Sequence, residues 1–383
     1  MANEFTCPAA KRCGGCQLQN LSYDEQLRYK QGRVIALVGK YCHVEDIIGM
    51  DEPTHYRCKV QAAFAQGRRG IISGVYQSSS HRIVPIDSCL IENETADRII
   101  VTVRKLMESF KIRPFDEVRL RGCVRHVLVR YGYFSKQVMV VIVTGSAEFP
   151  SRRAFVGELL RRCPEITTVV QNINGKFTSL VLGAKSINLH GDGYIEDSIL
   201  GCTFRISQRS FYQINPPVTE KLYGRAIELL ELTGSERVID AYCGTGTMGI
   251  IAARKAAEVI GVELNGDAIR DAKSNAARNG IKNIRFFKAD ASDFLNEMAA
   301  CGETADALLM DPPRAGSDVK FMKSAVAMAP KRIVYVSCDP ETLARDLGYF
   351  TKNGYTVRHI QPFDMFPFTG HVETVVLMSR IKD

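Results

Sequence analysis

Arg237-Val-Ile-Asp240-Ala-Tyr242-Cys-Gly244-Thr-Gly246-Thr-Met-Gly249 reads as an apolar strand running into a glycine turn, with MGIIAARKA following as a helix. The alternation continues downstream. EVIGVEL is a second strand, AIRDAKSNAARNG a second helix and IRFFKAD a third strand, and ADALLMDPP, RIVYVSCDP and VETVVLM supply three more. Strands alternating with helices predict an α/β fold whose parallel sheet is covered on both faces. Upstream, residues 55–205 read mostly as strands. VQAAFAQ, RGIISGVYQ, HVLVRYGYF and QVMVVIVT carry β-branched and aromatic residues between turn signals, interrupted by a helix in RIIVTVRKLMESFKI. The first fifty residues open with clustered Cys and Gly, then continue as LSYDEQLRYKQGRVIALVGKY, where Ser22 and Glu25 have the spacing of a helix-capping box. The expected division is 1–204, a cysteine loop plus a strand-rich central region, and 205–383, the α/β unit.

The glycine turn is a G-x-G-x-x-G at a strand-to-helix junction, where missing side chains let the backbone turn tightly and approach a ligand. A dinucleotide is the first competitor for such a loop. The flanking acids favour S-adenosylmethionine. Asp240 closes the first strand, where it could receive the cofactor's ammonium. Glu263 closes the second, where a carboxylate can accept both ribose hydroxyls. Asp290 closes the third and suits either the adenine amino group or a helix N-cap. Tyr242 suits either cofactor packing or a structural core position.

Two further strand ends carry reactive side chains. Met310-Asp311-Pro-Pro-Arg314 follows ADALLM, and Val336-Ser-Cys338-Asp-Pro340 follows RIVY. In an open parallel sheet ligands bind beyond the carboxyl ends of the strands, so Asp311 and Cys338 should face one crevice with the glycine loop. Glu373, in His371-Val-Glu373-Thr, opens the last strand. A thiol, a carboxylate base and a hydrogen-bonding acid are what methylation of uracil carbon 5 requires. Thiolate addition at carbon 6 makes carbon 5 nucleophilic, and a base must later remove its proton. Most lone cysteines are small buried hydrophobes, and Cys202 and Cys301 fit that description. Asp-Pro-Pro also occurs in enzymes that methylate exocyclic amines, but those carry an aromatic residue where Arg314 stands.

Cys7-x5-Cys13-Gly-Gly-Cys16 is a three-thiol loop too compact for ordinary packing, and Cys89 is the chosen fourth ligand. Four thiolates suit an iron-sulfur cluster or structural zinc equally. No apolar run approaches the roughly 20 residues of a membrane helix, and MANEFTCPAAKRC lacks the apolar core of a secretion signal. A cytoplasmic protein with reduced thiols is expected. The formal charge of +8 is concentrated in the front half, where 27 Lys/Arg face 20 Asp/Glu against 23 and 22 in residues 205–383. That asymmetry suits a polyanion such as nucleic acid, although it also serves solubility alone.

CPAAKRCGGCQLQ, QRSFYQINP, DAYCGTGTMG, DPPRAG, VSCDPETLARDL and DMFPFTGHVET together resemble the bacterial 23S rRNA (uracil-5-)-methyltransferases of the RlmD/RumA and RlmCD type, over nearly the whole chain. The resemblance implies a Rossmann-like S-adenosylmethionine-dependent methyltransferase domain, a strand-rich central domain and an N-terminal iron-sulfur loop. It implies a 4Fe-4S cluster on Cys7, Cys13, Cys16 and Cys89, Cys338 as nucleophile and Glu373 as base. Gln213, Tyr242, Glu263 and Asp311 correspond to cofactor-site positions, beside Gly244 and Gly246 of the loop. Phe211 and Asp311 fall to the substrate, 23S rRNA. The residues alone show only that the segment around Phe211 and Gln213 is a polar-aromatic loop over the crevice. The chain starts at the cysteine loop, so the small RNA-binding barrel of many relatives is expected to be missing and the basic central region to hold RNA. Phe368 stands where relatives often have a polar residue. A monomer is expected. A tRNA T-loop uridine methyltransferase and a non-catalytic RNA-binding protein are the alternatives.

Overall fold

The computed structural model describes residues 6–77 and 80–381. A single helical turn, α1 (Ala10–Cys13), precedes α2 (Tyr23–Val38). The start of α2 is the predicted capping box: the Ser22 hydroxyl accepts the Glu25 N–H, and the Glu25 carboxylate accepts the Ser22 N–H at 2.7 Å.

The central region is a seven-stranded sheet of β1 (Lys59–Gly67), β2 (Gly70–Tyr76), β3 (Ile83–Pro85), β4 (Val124–Tyr131), β5 (Val138–Thr144), β6 (Ile166–Ile173) and β7 (Lys185–His190). Its order is β3-β2-β1-β4-β5-β6-β7. Helices α3 (Glu94–Ser109) and α4 (Arg152–Arg162) cover one face, packing Ile99, Val103, Leu106, Phe155 and Leu159 onto Val60, Val127, Val140 and Ile142. A hairpin of β8 (Tyr194–Ile199) and β9 (Cys202–Ser207) serves the other face. Its buried residues are every second one on each strand and so share one face, and the two ends of that face join two different cores. Ile195 and Ile206 pack on Leu128, Val141 and Val170 of the central sheet, while Ile199, Cys202 and Phe204 join the core that follows. The expected division at 204/205 falls within β9.

The second sheet comprises β10 (Arg237–Ala241), β11 (Glu258–Glu263), β12 (Ile284–Lys288), β13 (Ala307–Met310), β14 (Arg332–Ser337), β15 (Tyr355–Phe363) and β16 (Glu373–Arg380). Its order is β12-β11-β10-β13-β14-β16-β15, so the chain reverses direction across the sheet beside β10. One face carries α5 (Pro216–Leu229), α6 (Thr247–Ala253) and α7 (Gly266–Arg278) through Leu222, Ile250 and Ile269. The other carries α8 (Ala291–Ala300), α9 (Val319–Met328) and α10 (Pro340–Lys352) through Leu295, Phe321 and Leu347. Burial on both faces explains why β10, β13 and β14 are nearly unbroken apolar runs.

Three features depart from the sequence-based expectation. The sheet has a seventh strand, β15, which Arg358 and Pro362 disguise; it lies at the sheet edge, where proline is tolerated. The last strand, β16, runs antiparallel to both neighbours. Helix α2 packs on this second sheet, with Val34 and Val38 fully buried in its core, and the segment after it bridges β15 at Val44–Ile360 and Ile48–Phe363. Among the described residues no helix is long and apolar enough to cross a membrane.

Candidate active site

The carboxyl ends of β10, β11, β13 and β14 open onto a cavity of about 1150 Å³. The turn after β10 places Tyr242, Gly244 and Gly246 at φ of +64°, +54° and +80°, left-handed values that the two glycines adopt without strain and the tyrosine does not. Gly249 is required for another reason: an added Cβ would stand 2.7 Å from Asp240 Oδ2, the oxygen that accepts the Gly249 N–H at 2.8 Å. Asp240 is therefore buried beneath the turn, off the cavity wall, and anchors the start of α6. Burial pushes its carboxyl up to about 8. Gly246 also lies behind the wall, where a Cβ would meet the Phe286 ring at 2.9 Å. Glu263 is on the wall and accepts the Gly244 N–H at 3.2 Å and the Asn265 N–H at 2.7 Å. Asp290 is the N-cap of α8, accepting from Ser292 and Asp293 at 2.9 and 3.2 Å, and does not line the cavity. Tyr242 lines the cavity, and its ring packs 5.1 Å from that of Phe321.

Cys338 sits in the joint between β14 and α10. Asp339 caps α10 by accepting the Glu341 and Thr342 N–H groups at 3.0 and 3.2 Å, and Pro340 supplies the preset φ of a first helical residue. Those local signals end the strand where the thiol is still half-buried and faces the cavity. Asp311 and Glu373 line the same cavity. Burial, then the Glu373 and Asp311 carboxylates, push the Cys338 thiol up to about 11, while Arg314 opposes them. Glu373, only 4% exposed, is raised to about 8 by burial and then by Asp311. Asp311 is raised to about 7 by burial. Three ionisable groups, each displaced by burial and two of them also by a neighbouring carboxylate, share one crevice, as reactive groups often do. Phe211 stands 69% exposed on the rim, and Gln213 on the wall hydrogen-bonds the Tyr223 phenol.

A model of the tRNA (Uracil-5-)-methyltransferase family matches residues 195–381. A protein of Halalkalibacterium halodurans named as an RNA methyltransferase is 44% identical over 381 residues, covering 98% of this chain and 83% of that protein. One from Clostridium acetobutylicum is 40% identical over 385 residues, covering 99% and 84%. Among solved structures, the tRNA (uracil-54, C5)-methyltransferase of Pyrococcus abyssi in complex with S-adenosyl-L-homocysteine superposes with a TM-score of 0.79 at 26% identity. The match covers 98% of this chain and 87% of that one. The chain belongs to the RNA (uracil-5-)-methyltransferase family. Its activity is S-adenosylmethionine-dependent methylation of uracil carbon 5 in RNA.

The cavity of this methyltransferase fits its methyl donor. An added Cβ on Gly244 would meet nothing within 4 Å, so the turn presents bare backbone to open space, with the Glu263 carboxylate beside it. The cysteine loop is a different case. Cys13, Cys16 and Cys89 line the cavity, Cys16 and Cys89 pack beside Tyr56 and Ile91, and none of the four cysteines is in a disulfide. Burial, then Cys7 and Cys13, push the Cys16 thiol up to about 11. The donors suit a soft metal. Among the described residues, however, no three His, Cys, Asp or Glu side chains are grouped closely enough to hold one.

Sequence reasoning missed one wall of the methyltransferase's cavity. Arg57, Lys59 and Gln61 line it from the central sheet, with Tyr76 of β2 beside them. Burial, then Arg130 and Arg57, bring the Lys59 ammonium down to about 8. A signal was present: Arg57, Lys59 and Gln61 alternate with buried Cys58 and Val60, the period of a strand with one polar face. Tyr223, brought from α5, had none.

Proposed function

We propose that this methyltransferase modifies a uridine of 23S rRNA through a covalent bond to Cys338. The observation that carries the chemistry is that Cys338, Glu373 and Asp311 line one cavity with Gly244 and Glu263. Because a stacked base cannot reach a thiol in a crevice, the target nucleotide is flipped out. Bound against Gly244, Glu263, Tyr242 and Gln213, S-adenosylmethionine supplies an electrophilic methyl group. The Cys338 thiol gives its proton to solvent as the sulfur adds to carbon 6; the C5=C6 π electrons move to carbon 5, which takes the methyl group while the electrons of the broken S–CH3 bond leave with the demethylated donor. Arg314 is the charged neighbour that favours the thiolate. Asp311 faces the imide edge of the base. Glu373 then takes the carbon 5 proton; the C–H electrons restore the double bond and expel the sulfur. A carboxylate raised to about 8 is suited to accept a proton near neutrality. Phe211, exposed at the rim, stacks on the RNA as it enters.

Support for rRNA is the three-cysteine loop with Cys89, the feature that carried the resemblance to the 23S rRNA enzymes. We propose that Cys7, Cys13, Cys16 and Cys89 draw together around a 4Fe-4S cluster as it is inserted, since metal ligands are rarely preformed without their metal, with structural zinc as the alternative. Iron, sulfide and zinc analysis of anaerobically purified protein, against Cys89→Ser, separates the two. A second reading, a tRNA T-loop uridine, draws on the name of the matching family and on the Pyrococcus abyssi enzyme. Mass-spectrometric mapping of 5-methyluridine in a deletion strain decides. Loss at a 23S rRNA position is expected; intact rRNA with methyl-deficient tRNA would establish the second reading instead.

A further inference from the structure

The nine residues 364–372 join β15 to β16, and Phe363 and Glu373 are the last paired residues of that hairpin. Glu373 thus sits where the ladder ends and the loop begins, and the loop itself contributes Phe366, Thr369 and His371 to the cavity wall. What fixes this loop comes from the other end of the chain. Gln26, Lys30 and Arg33 lie at i, i+4 and i+7 on α2, one stripe of the helix. Lys30 Nζ bonds Asp364 Oδ1 at 2.5 Å and donates to the Phe366 carbonyl at 3.0 Å. Gln26 Oε1 accepts the Phe368 N–H at 2.7 Å, and Arg33 donates to the Gly370 carbonyl at 3.1 Å. Flanking residues take the rest: the Leu18 N–H bonds the Phe368 carbonyl at 2.9 Å, and the Tyr56 hydroxyl bonds that of Pro367 at 3.0 Å. Phe368 is fully buried at φ +67°, a conformation a phenylalanine keeps only where its surroundings over-determine it.

Lys30 and Asp364 are both completely buried. A buried ion pair is a poor way to add stability, since apolar residues of similar volume do as well or better; what it can supply is one defined geometry. We propose that Lys30, paired with Asp364, is a positioning residue that sets where Glu373 stands relative to carbon 5 of the bound uracil. The proposal rests on the assignment of Glu373 as the base. Its consequence is specific to one step. Thiol addition and methyl transfer use Cys338, which the joint between β14 and α10 positions, so they proceed without the pair. Proton removal uses Glu373, so it slows.

The test is Lys30→Met, assayed beside Glu373→Gln and the unaltered protein. Turnover of uridine RNA should fall by about 10²-fold, the scale of a small misplacement of a reacting group, with KM changed less than about 2-fold. A methylated protein–RNA adduct should accumulate on denaturing gels, as it should for Glu373→Gln. With 5-fluorouridine RNA, which has no removable proton, the adduct should form at the unaltered rate. A parallel fall of turnover and of 5-fluorouridine trapping would overturn the proposal, because a general loss of structure affects both. Normal turnover would also overturn it. If Glu373→Gln accumulates no adduct, the assignment of the base fails and the proposal with it; if that variant stalls and Lys30→Met does not, only the proposal fails. Should Lys30→Met be insoluble, Lys30→Met with Asp364→Leu leaves no charge unpaired and is read in the same way.

Discussion

The two seven-stranded sheets put residues into the same cavity by different routes. The second sheet does so from strand ends: Gly244, Glu263, Asp311 and Cys338 each follow or close a parallel strand, in a turn whose neighbours fix its geometry. The central sheet does so from a strand's face: Lys59 and Gln61 are alternate residues of β1, paired across to β4. Strand-end residues sit in turns that can be tuned singly, which suits chemistry. Strand-face residues form a rigid, regularly spaced wall, which suits a long polyanion. From this difference we propose a division of labour, in which the second sheet sets the rate of methylation and the central sheet sets the affinity for RNA.

The largest expected effect tests the first half of that division. Cys338→Ala should lower turnover by about 10⁴-fold or more and abolish trapping by 5-fluorouridine RNA, with RNA affinity unchanged within about 2-fold. Equal losses of affinity and rate would erase the contrast between the sheets. An intermediate effect tests the second half. Lys59→Gln should weaken RNA binding by about 10-fold at low salt and reduce the salt slope by about one, with turnover at saturating RNA preserved. The pH dependence sharpens this: an ammonium brought down to about 8 is charged below that pH and neutral above it. Binding by the unaltered protein should therefore weaken as pH rises through 8, and binding by Lys59→Gln should not. The smallest effect concerns stability. Glu373 is raised in the folded protein to about 8, so the folded state keeps a proton that the unfolded chain releases. Its stabilising contribution is complete below about pH 4 and lost as pH rises through 8. Melting temperatures from pH 5 to 9 should fall less for Glu373→Gln than for the unaltered protein.

Several features of the fold were legible because their causes are local. The glycine turn, the capping box at Ser22 and the apolar strands β10 to β14 all follow from short-range spacing. Asp290 shows the limit of such spacing: an acid at a strand end looks the same whether it meets a ligand or caps the next helix, and here it caps α8. β15 was obscured because an edge strand tolerates the proline and arginine that a central strand rejects.

By itself, the sequence determined six of the seven strands of the second sheet, the glycine turn after the first of them and the polar side chains placed at the strand ends. Tertiary structure alone decided that α2 joins the second sheet, that Lys30 meets Asp364 more than three hundred residues away, and that Lys59 shares a cavity with Cys338. The physical reason is range. Capping and backbone strain act over a few residues and leave a pattern in them, whereas burial of one element against another is non-directional and leaves no mark saying which surface it will cover.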